Sequence, residues 1–202
     1  KHSEQRLNLN AIELEQLYRQ DGFAKKIVEI FPDEMVRQWF RVEGDPDNLI
    51  LARLEEINAK NKIRELLLWG RLFGGAIGVL GVDDGGNLDD PINYRNIKNL
   101  DFIHVFDKNE VSWTVTDTYQ DPNSRKYGLP EFYRVSPAAG GTFFVVHESR
   151  VLKVIGENLP VRSMLSNNGW GDPVLQSCYE QLRNLNITYN SAANIVQDFI
   201  QS

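Results

Sequence analysis

The chain has 202 residues, of which 42% are hydrophobic, enough to bury the core of one domain with an appended element. Its formal net charge of −6 argues against a protein whose main task is to grip nucleic-acid phosphates, because that task requires clustered Lys and Arg. The single cysteine, Cys178, excludes an internal disulfide framework, and no apolar run reaches the length of about 18 residues that a membrane span requires.

Residues 1–74 carry apolar side chains at spacings of three and four, which is typical of amphipathic helices. Asp21 is a suitable N-cap for the second helix. Pro32 is expected to end that helix and to start another one. Trp39 lies near the end of this next helix and is a candidate for a structural or subunit contact. Residues 44–48 predict a break, after which two further helices are expected up to about residue 73.

The apolar period changes to two after Gly74, so residues 75–157 are predicted to be rich in β-structure. Turn residues separate the strands, beginning with the acidic Asp-Asp-Gly-Gly sequence at residues 83–86. Helices followed by a mostly antiparallel sheet form an α+β fold. The predicted strands are residues 76–82, 100–106, 111–116, 132–135, 142–146 and 151–155.

Residues 158–202 are expected to form a loop followed by a long helix. Asp172 precedes Pro173, and an aspartate before a proline is an N-cap signature. Trp170 lies between Gly169 and Gly171, immediately before Asp172. The two glycines allow the chain to turn sharply into the helix. Trp170 and Asp172 are therefore candidates for structural or subunit-contact roles.

The apolar stripe of this last helix continues from Val174 to Phe199. A helix of about 29 residues is roughly 40 Å long and rarely finds enough core inside one small domain. We therefore expect it to enter another domain or to pack against another subunit. Because the chain starts at Lys1 rather than methionine and stops inside the helical pattern at Ser202, we expect it to be a fragment of a longer polypeptide.

Five glycines between Gly70 and Gly81 suggest a phosphate-binding loop at first sight. Their spacing contains no G-x-G-x-x-G, and no Gly-Lys-Ser or Gly-Lys-Thr follows. A nucleotide-binding loop also follows a strand and opens a helix, whereas here the helix comes first. The glycines are instead interpreted as packing contacts between helix and sheet, which makes Gly74 and Gly75 candidates for a structural role.

No assembled set of catalytic or metal-ligating residues is predicted. The acidic turn at residues 83–90 lacks the ligand spacing and closing glutamate of an EF-hand, although a calcium site stays an alternative to a hairpin turn. The three histidines lie far apart, which disfavours zinc. His147 precedes Glu148 and Ser149 without a G-x-S-x-G motif or a second histidine, so this segment is interpreted as a turn joining two strands. We expect no enzyme, no cofactor and no metal.

Four segments of the chain resemble the portal proteins of tailed bacteriophages. The segments occur in the order expected for that family and together extend over nearly all of the sequence. The first and the last are the most specific, because glycine-rich strands match many folds. The segments are LYRQDGFAKKIVEIFPDEMVRQW at residues 17–39, RLFGGAIGVLGVDDG at residues 71–85, HESRVLKVIG at residues 147–156 and GWGDPVLQ at residues 169–176.

This resemblance implies a wing-like α+β domain, with a long helix leading toward the stem, in a subunit of a ring of usually twelve copies at one capsid vertex. Double-stranded DNA would pass through the ring during packaging and ejection, with weak non-specific contact. The implied partners are other copies of the chain, terminase, capsid and head-tail adaptor proteins, with no membrane. The implied location is the virion, after assembly in the host cytoplasm.

The same group is sometimes labelled with an anti-CBASS nuclease, because some members carry a phosphodiesterase module that cleaves cyclic nucleotides. Such an enzyme needs two facing H-x-T or H-x-S motifs. His147 starts one weak match, whereas the sequences after His2 and His104 do not supply a second. A phosphodiesterase-related enzyme domain and a non-catalytic protein-interaction module stay as alternatives to the ring subunit.

Overall fold

A computed structural model describes residues 8–201. Helices come first in the chain, strands follow, and a long helix closes the described range, which confirms the predicted α+β fold. The elements are α1 (Ala11–Gln20), α2 (Gly22–Arg37), α3 (Leu49–Glu56), α4 (Ala59–Phe73), β1 (Gly75–Asp83), β2 (Asn99–Asp107), β3 (Val111–Ser112), β4 (Phe132–Val135), β5 (Phe144–His147), β6 (Val151–Ile155), α5 (Val161–Ser166) and α6 (Val174–Gln201).

The prediction that Pro32 ends a helix is wrong, because α2 continues through it to Arg37. A proline lacks the N–H that would donate to the carbonyl four residues earlier, here that of Val28. Arg71 of α4 provides the replacement. Its Nε donates to the Val28 carbonyl oxygen at 3.2 Å, and its Nη2 donates to the Ile27 carbonyl oxygen at 2.9 Å. A tertiary contact therefore compensates for the hydrogen bond that the proline removes.

The strand predicted at residues 111–116 is much shorter in the structure. It ends at Ser112, and a 3-10 turn follows at Val115–Asp117. The Asp117 carboxylate accepts hydrogen bonds from the backbone N and the hydroxyl of Thr114, at 2.8 and 2.7 Å. Arg134 donates two further bonds to it, both 2.7 Å long. Such side-chain hydrogen bonds compete with a strand ladder, which explains the early end of β3.

The strands form two antiparallel sheets of three strands each, with the orders β2-β1-β6 and β3-β4-β5, where one sheet was expected. Strand β1 is central in the first sheet, and both of its faces are covered. Leu66 of α4 packs with Ala76 on one face, whereas Ile77 and Val79 pack against the second sheet. This double burial explains why β1 carries no charged or polar side chain between Gly75 and Val82.

The helices form a separate core in which α1, α2 and α4 surround the first part of α6. Leu175 of α6 is fully buried and Leu182 is 6% exposed. Beyond these residues α6 leaves the core. No helix within residues 8–201 combines the length and apolar character that crossing a membrane requires. The large apolar side chains of this outer half are 52% to 79% exposed, and they are Ile187, Tyr189, Ile195, Val196, Phe199 and Ile200.

Candidate functional site

Glycines from three separate segments meet where α4 passes into β1, and we call this place the glycine junction. Gly74 caps the C-terminus of α4 with φ +90°, a left-handed conformation that favours glycine. Its carbonyl oxygen accepts a hydrogen bond of 3.0 Å from the N–H of Gly156. A Cβ built on Gly74 would lie 2.6 Å from the carbonyl oxygen of Gly171. The three segments thus approach more closely than side chains permit.

Trp170 covers the next glycine, Gly75. The indole is only 4% exposed, and a Cβ built on Gly75 would overlap its Cε3 atom. Trp170 also packs against Trp113, with 5.5 Å between the ring centroids. Gly75 and Trp170 are therefore a complementary pair, because the flat ring lies directly against bare backbone.

Lys153 of β6 places its ammonium group against the same aromatic rings. Its Nζ lies 4.4 Å from the ring centroid of Trp170, 4.9 Å from that of Trp113 and 6.0 Å from that of Tyr133. Burial disfavours the charged form and lowers the pKa of Lys153 to about 8. The sequence contained no signal for this contact, since a lysine in a strand is usually interpreted as solvent-facing.

Asp172 joins the glycine junction through its main chain. Its N–H donates to the Glu157 carbonyl oxygen at 3.1 Å, and its own carbonyl oxygen accepts from the Glu157 N–H at 2.8 Å. Helix α6 begins two residues later, at Val174. The proposed N-cap role of the Asp172 side chain stays a prediction.

Trp39 has a different location from the other candidates. It follows the end of α2 and is half-buried. Its ring centroid lies 4.5 Å from that of Phe40, and together with Leu54 and Asn58 it lines a small pocket beside α3. The structure therefore brings Gly74, Gly75, Trp170 and Asp172 together and places Trp39 elsewhere.

The acidic turn contains a buried ion pair that the sequence did not reveal. Nη2 of Arg150 donates to both carboxylate oxygens of Asp84, each at 2.9 Å, and Nε donates to the Asp90 carbonyl oxygen at 2.7 Å. Asp84 also accepts from the backbone N–H groups of Asn93 and Gly86, at 2.7 and 3.1 Å. The hydrogen bond from Asn93, followed by that from Arg150, lowers the pKa of Asp84 to about 2.

This ion pair also gives the turn a structural explanation. Arg150 is 1% exposed and Asp84 is 3% exposed. The guanidinium of Arg150 neutralises the Asp84 carboxylate. The acidic turn therefore has a positive partner without a calcium ion. Among residues 8–201, no group of three or more His, Cys, Asp or Glu side chains is arranged to hold a metal ion.

His147 is buried at the start of the 3-10 turn that joins β5 and β6, which confirms the interpretation of this segment as a turn between strands. Its Nδ1 accepts a hydrogen bond of 3.1 Å from the N–H of Ser149 and lies 2.8 Å from the Ser149 hydroxyl. Burial lowers the pKa of His147. Glu148 instead faces outward to Lys126. The imidazole thus caps a turn.

The sequence profile of the family described as "Phage portal protein" matches residues 12–202. The chain belongs to the phage portal protein family. Two curated relatives carry the name "Anti-CBASS protein Acb1". The relative from Caulobacter sp. (strain RHG1) is 30% identical over 192 residues, which are 92% of this chain and 30% of the relative. The relative from Sphingomonas paeninsulae is 26% identical over 202 residues, which are 96% of this chain and 32% of the relative.

A third relative of this portal-family chain, an uncharacterized protein of Haemophilus influenzae, is 27% identical over 198 residues. The match covers 94% of this chain and 42% of that protein. The chain therefore spans between 30% and 42% of the length of the curated relatives it matches.

Three of the segments that resemble portal proteins meet at the glycine junction. Residues 71–85 supply Gly74 and Gly75, residues 147–156 supply Lys153, and residues 169–176 supply Trp170. The segments most typical of portal proteins thus form the framework between α4, the first sheet and the entry to α6.

Two apolar surfaces of this portal-family chain are exposed within residues 8–201. The first is the α6 outer half, residues 187–200, in which Asp198 is the only charged residue. The second is the α2 outer face, formed by Phe23, Ile30, Phe31 and Met35, whose exposure ranges from 42% to 64%. Scattered apolar side chains are normal on a protein surface, whereas rows of this length mark contact sites.

Proposed function

We propose that the chain is a structural, non-catalytic subunit of a phage portal ring that forms the conduit for double-stranded DNA at one capsid vertex. The α6 outer half carries this proposal, because six large apolar side chains lie exposed along one helix with a single charge among them. A neighbouring copy that covers this helix would remove those side chains from water.

The α2 outer face supports the same proposal. A contact between two different faces of identical chains is heterologous, and such contacts generate closed rings when the rotation between copies closes. The chain offers two different apolar faces of this kind, on α2 and on α6. Membership of the portal family and the net charge of −6 agree with a ring that conducts DNA without binding it tightly.

The finer features of this proposal are those that the resemblance to portal proteins implies. They are a ring of twelve copies, contacts with terminase, capsid and head-tail adaptor proteins, a role in DNA packaging and ejection, and a place in the virion after assembly in the host cytoplasm.

Assembly tests the proposal directly. In the full chain, electron microscopy and light scattering are expected to show closed rings with a central channel. Val196→Asp places a charge in the α6 outer half and is expected to weaken assembly by about tenfold or more, because the charge would be buried at the contact. Asn194→Asp adds the same charge at an exposed polar position of the same helix and is expected to leave assembly unchanged.

A protein that stays monomeric at high concentration would contradict the ring. A Val196→Asp variant that assembles as well as Asn194→Asp would contradict only the contact, because it would show that the α6 outer half does not lie at the interface.

A second candidate function is an anti-CBASS role, which rests on the name of two relatives. If this chain cleaved cyclic nucleotides, His147 would be its reactive group, yet this histidine is 7% exposed and its Nδ1 is occupied by Ser149. Incubation with cyclic di- and trinucleotides is expected to yield no product above the buffer control, measured by chromatography. Turnover that disappears in His147→Ala would instead establish the enzyme.

A further inference from the structure

A small pocket lies beside the glycine junction, outside both apolar surfaces. It has a volume of about 220 Å³ and lies between the β2–β3 turn and the loop that precedes Trp170. Trp113 and Trp170 form part of its wall, and Lys108, Ser112 and Asn168 contribute polar groups. A pocket of this size accommodates one side chain or one small ion and excludes larger ligands.

Five polar side chains line the pocket. Two of them are already bonded, because Asn109 donates to Asp107 and Asn167 donates to the carbonyl oxygens of Trp170 and Gly171. Ser112 and Asn168 are exposed and reach water when the pocket is empty.

Within residues 8–201, the side chains of Lys108, Ser112 and Asn168 make no hydrogen bond or ion pair. The indole N–H of Trp170 also has no acceptor there, although no fully buried side-chain nitrogen in this range is unpaired. This N–H therefore has some contact with solvent, and Trp170 is one of the residues that line the pocket. Donor groups gathered around one cavity suit a ligand that is an acceptor.

Lys153 adds a positive charge next to this pocket. A Cβ built on Gly169, between two lining residues, would lie 3.8 Å from both Lys153 Nζ and Trp113 Cζ2. Lys153 contacts aromatic rings but no carboxylate of the described residues. A partly buried ammonium without a counter-charge costs stability. A partly buried charge without a partner is a feature typical of functional sites. A bound anion would supply the missing negative charge.

The backbone of Asn168 positions one of the lining side chains. Asn168 has φ +51°, a left-handed conformation that asparagine adopts more readily than most residues and that Asn48 and Asn58 also adopt in this chain. Glycine would fit this backbone without strain, yet the position carries an amide that lines the pocket.

We propose that this pocket binds a carboxylate group, carried by an acidic side chain or the chain end of a partner protein. A carboxylate can accept hydrogen bonds from several donors at once, and its short carbon stem suits the indole walls. Asp107 and Asp172 lie near Lys108 and offset part of its charge, so the pocket suits a single carboxylate and, with a net charge of −6 on the chain, disfavours a polyanion such as DNA. A duplex is also far too wide for a cavity of about 220 Å³.

The test uses propionate, a carboxylate with a two-carbon stem, added to the full chain. The chain has four tryptophans, so its four indole N–H signals can be assigned in nuclear magnetic resonance spectra by single Trp→Phe variants. Propionate is expected to shift the signals of Trp113 and Trp170 saturably, while those of Trp39 and Trp69 stay in place. Propionamide has the same shape without the charge and is expected to cause no shift.

Two variants remove the ligand contacts without removing the fold. Lys153→Met keeps the apolar stem, and Asn168→Gly suits the left-handed backbone. We expect the dissociation constant of propionate to rise about tenfold in the first and about threefold in the second. Lys98→Met, at an exposed lysine, and Asn48→Gly, at another left-handed asparagine without a side-chain cap bond, are expected to bind propionate like the parent chain.

Three results would overturn the carboxylate site. They are the absence of a saturable shift, an equal shift with propionamide, and equal binding by Lys153→Met. A short DNA duplex that displaces propionate would replace the proposed protein partner by a nucleic acid. A peptide with a C-terminal glutamate that competes with propionate would support the proposal.

Discussion

Replacing Arg150 by Met is expected to lower the melting temperature by about 10 °C or more. The guanidinium donates four hydrogen bonds, two to the carboxylate of Asp84 and one each to the carbonyl oxygens of Asp90 and Val82. Without it, the Asp84 carboxylate stays buried with no counter-charge. Breaking such a pair costs more stability than any surface substitution, because the remaining charge cannot return to water in the folded state.

The matched control is Arg19→Met. Arg19 pairs with Glu15 at 3.2 Å on the surface of α1, where the two side chains are 72% and 55% exposed. An exposed pair contributes little, so the melting temperature is expected to change by about 1 °C at most. Equal melting temperatures for Arg150→Met and the parent chain would refute a stabilising role of the buried pair.

The pH dependence of stability provides a second measure of the same pair. The pKa of Asp84 is lowered from its ordinary value of 3.8 to about 2 in the folded chain. Between these values the unfolded state binds more protons, so the contribution of Asp84 is present above pH 3.8 and is lost as the pH falls toward 2. Urea midpoints measured across this window are expected to fall less steeply in Arg150→Met. A residual slope is expected from Asp117, whose pKa Arg134 also lowers.

Replacing Gly75 by Val is expected to reduce the free energy of unfolding by about 3 kcal/mol or more. The new Cβ would overlap the indole of Trp170, and that indole is itself enclosed by Trp113 and the second sheet. Packing against Trp113 and the second sheet limits how far the ring can move, so β1 and the loop before α6 would have to shift apart. Chemical denaturation followed by circular dichroism measures this loss.

Gly22→Val is the matched control for this substitution. A Cβ built on Gly22 has no atom within 4 Å, so the same change is expected to cost about 0.5 kcal/mol or less. If Gly75→Val were as stable as Gly22→Val, the close contact between β1 and Trp170 would be excluded as the reason for the glycine.

The sequence by itself determined the α+β order, the positions of most strands and the length of α6. Strands β4 and β6 have the predicted bounds, and α6 extends over 28 residues with the predicted apolar stripe. These features depend on the spacing of apolar side chains between near neighbours in the chain, so the pattern is complete within each segment. The element order also excluded a phosphate loop for the glycines of β1, and in the structure a Cβ at Gly75 would overlap the Trp170 ring.

Only the tertiary structure decided which distant groups compensate for local conflicts. Arg71 lies 43 residues from the Val28 carbonyl that it satisfies, and Arg150 lies 66 residues from Asp84. Lys153 in turn lies against indoles from two other segments. A proline, an acidic turn and a strand lysine each suggest exposure or a break when considered alone. Their actual environments depend on partners that no local pattern specifies, because burial and hydrogen bonding are set by the packed fold.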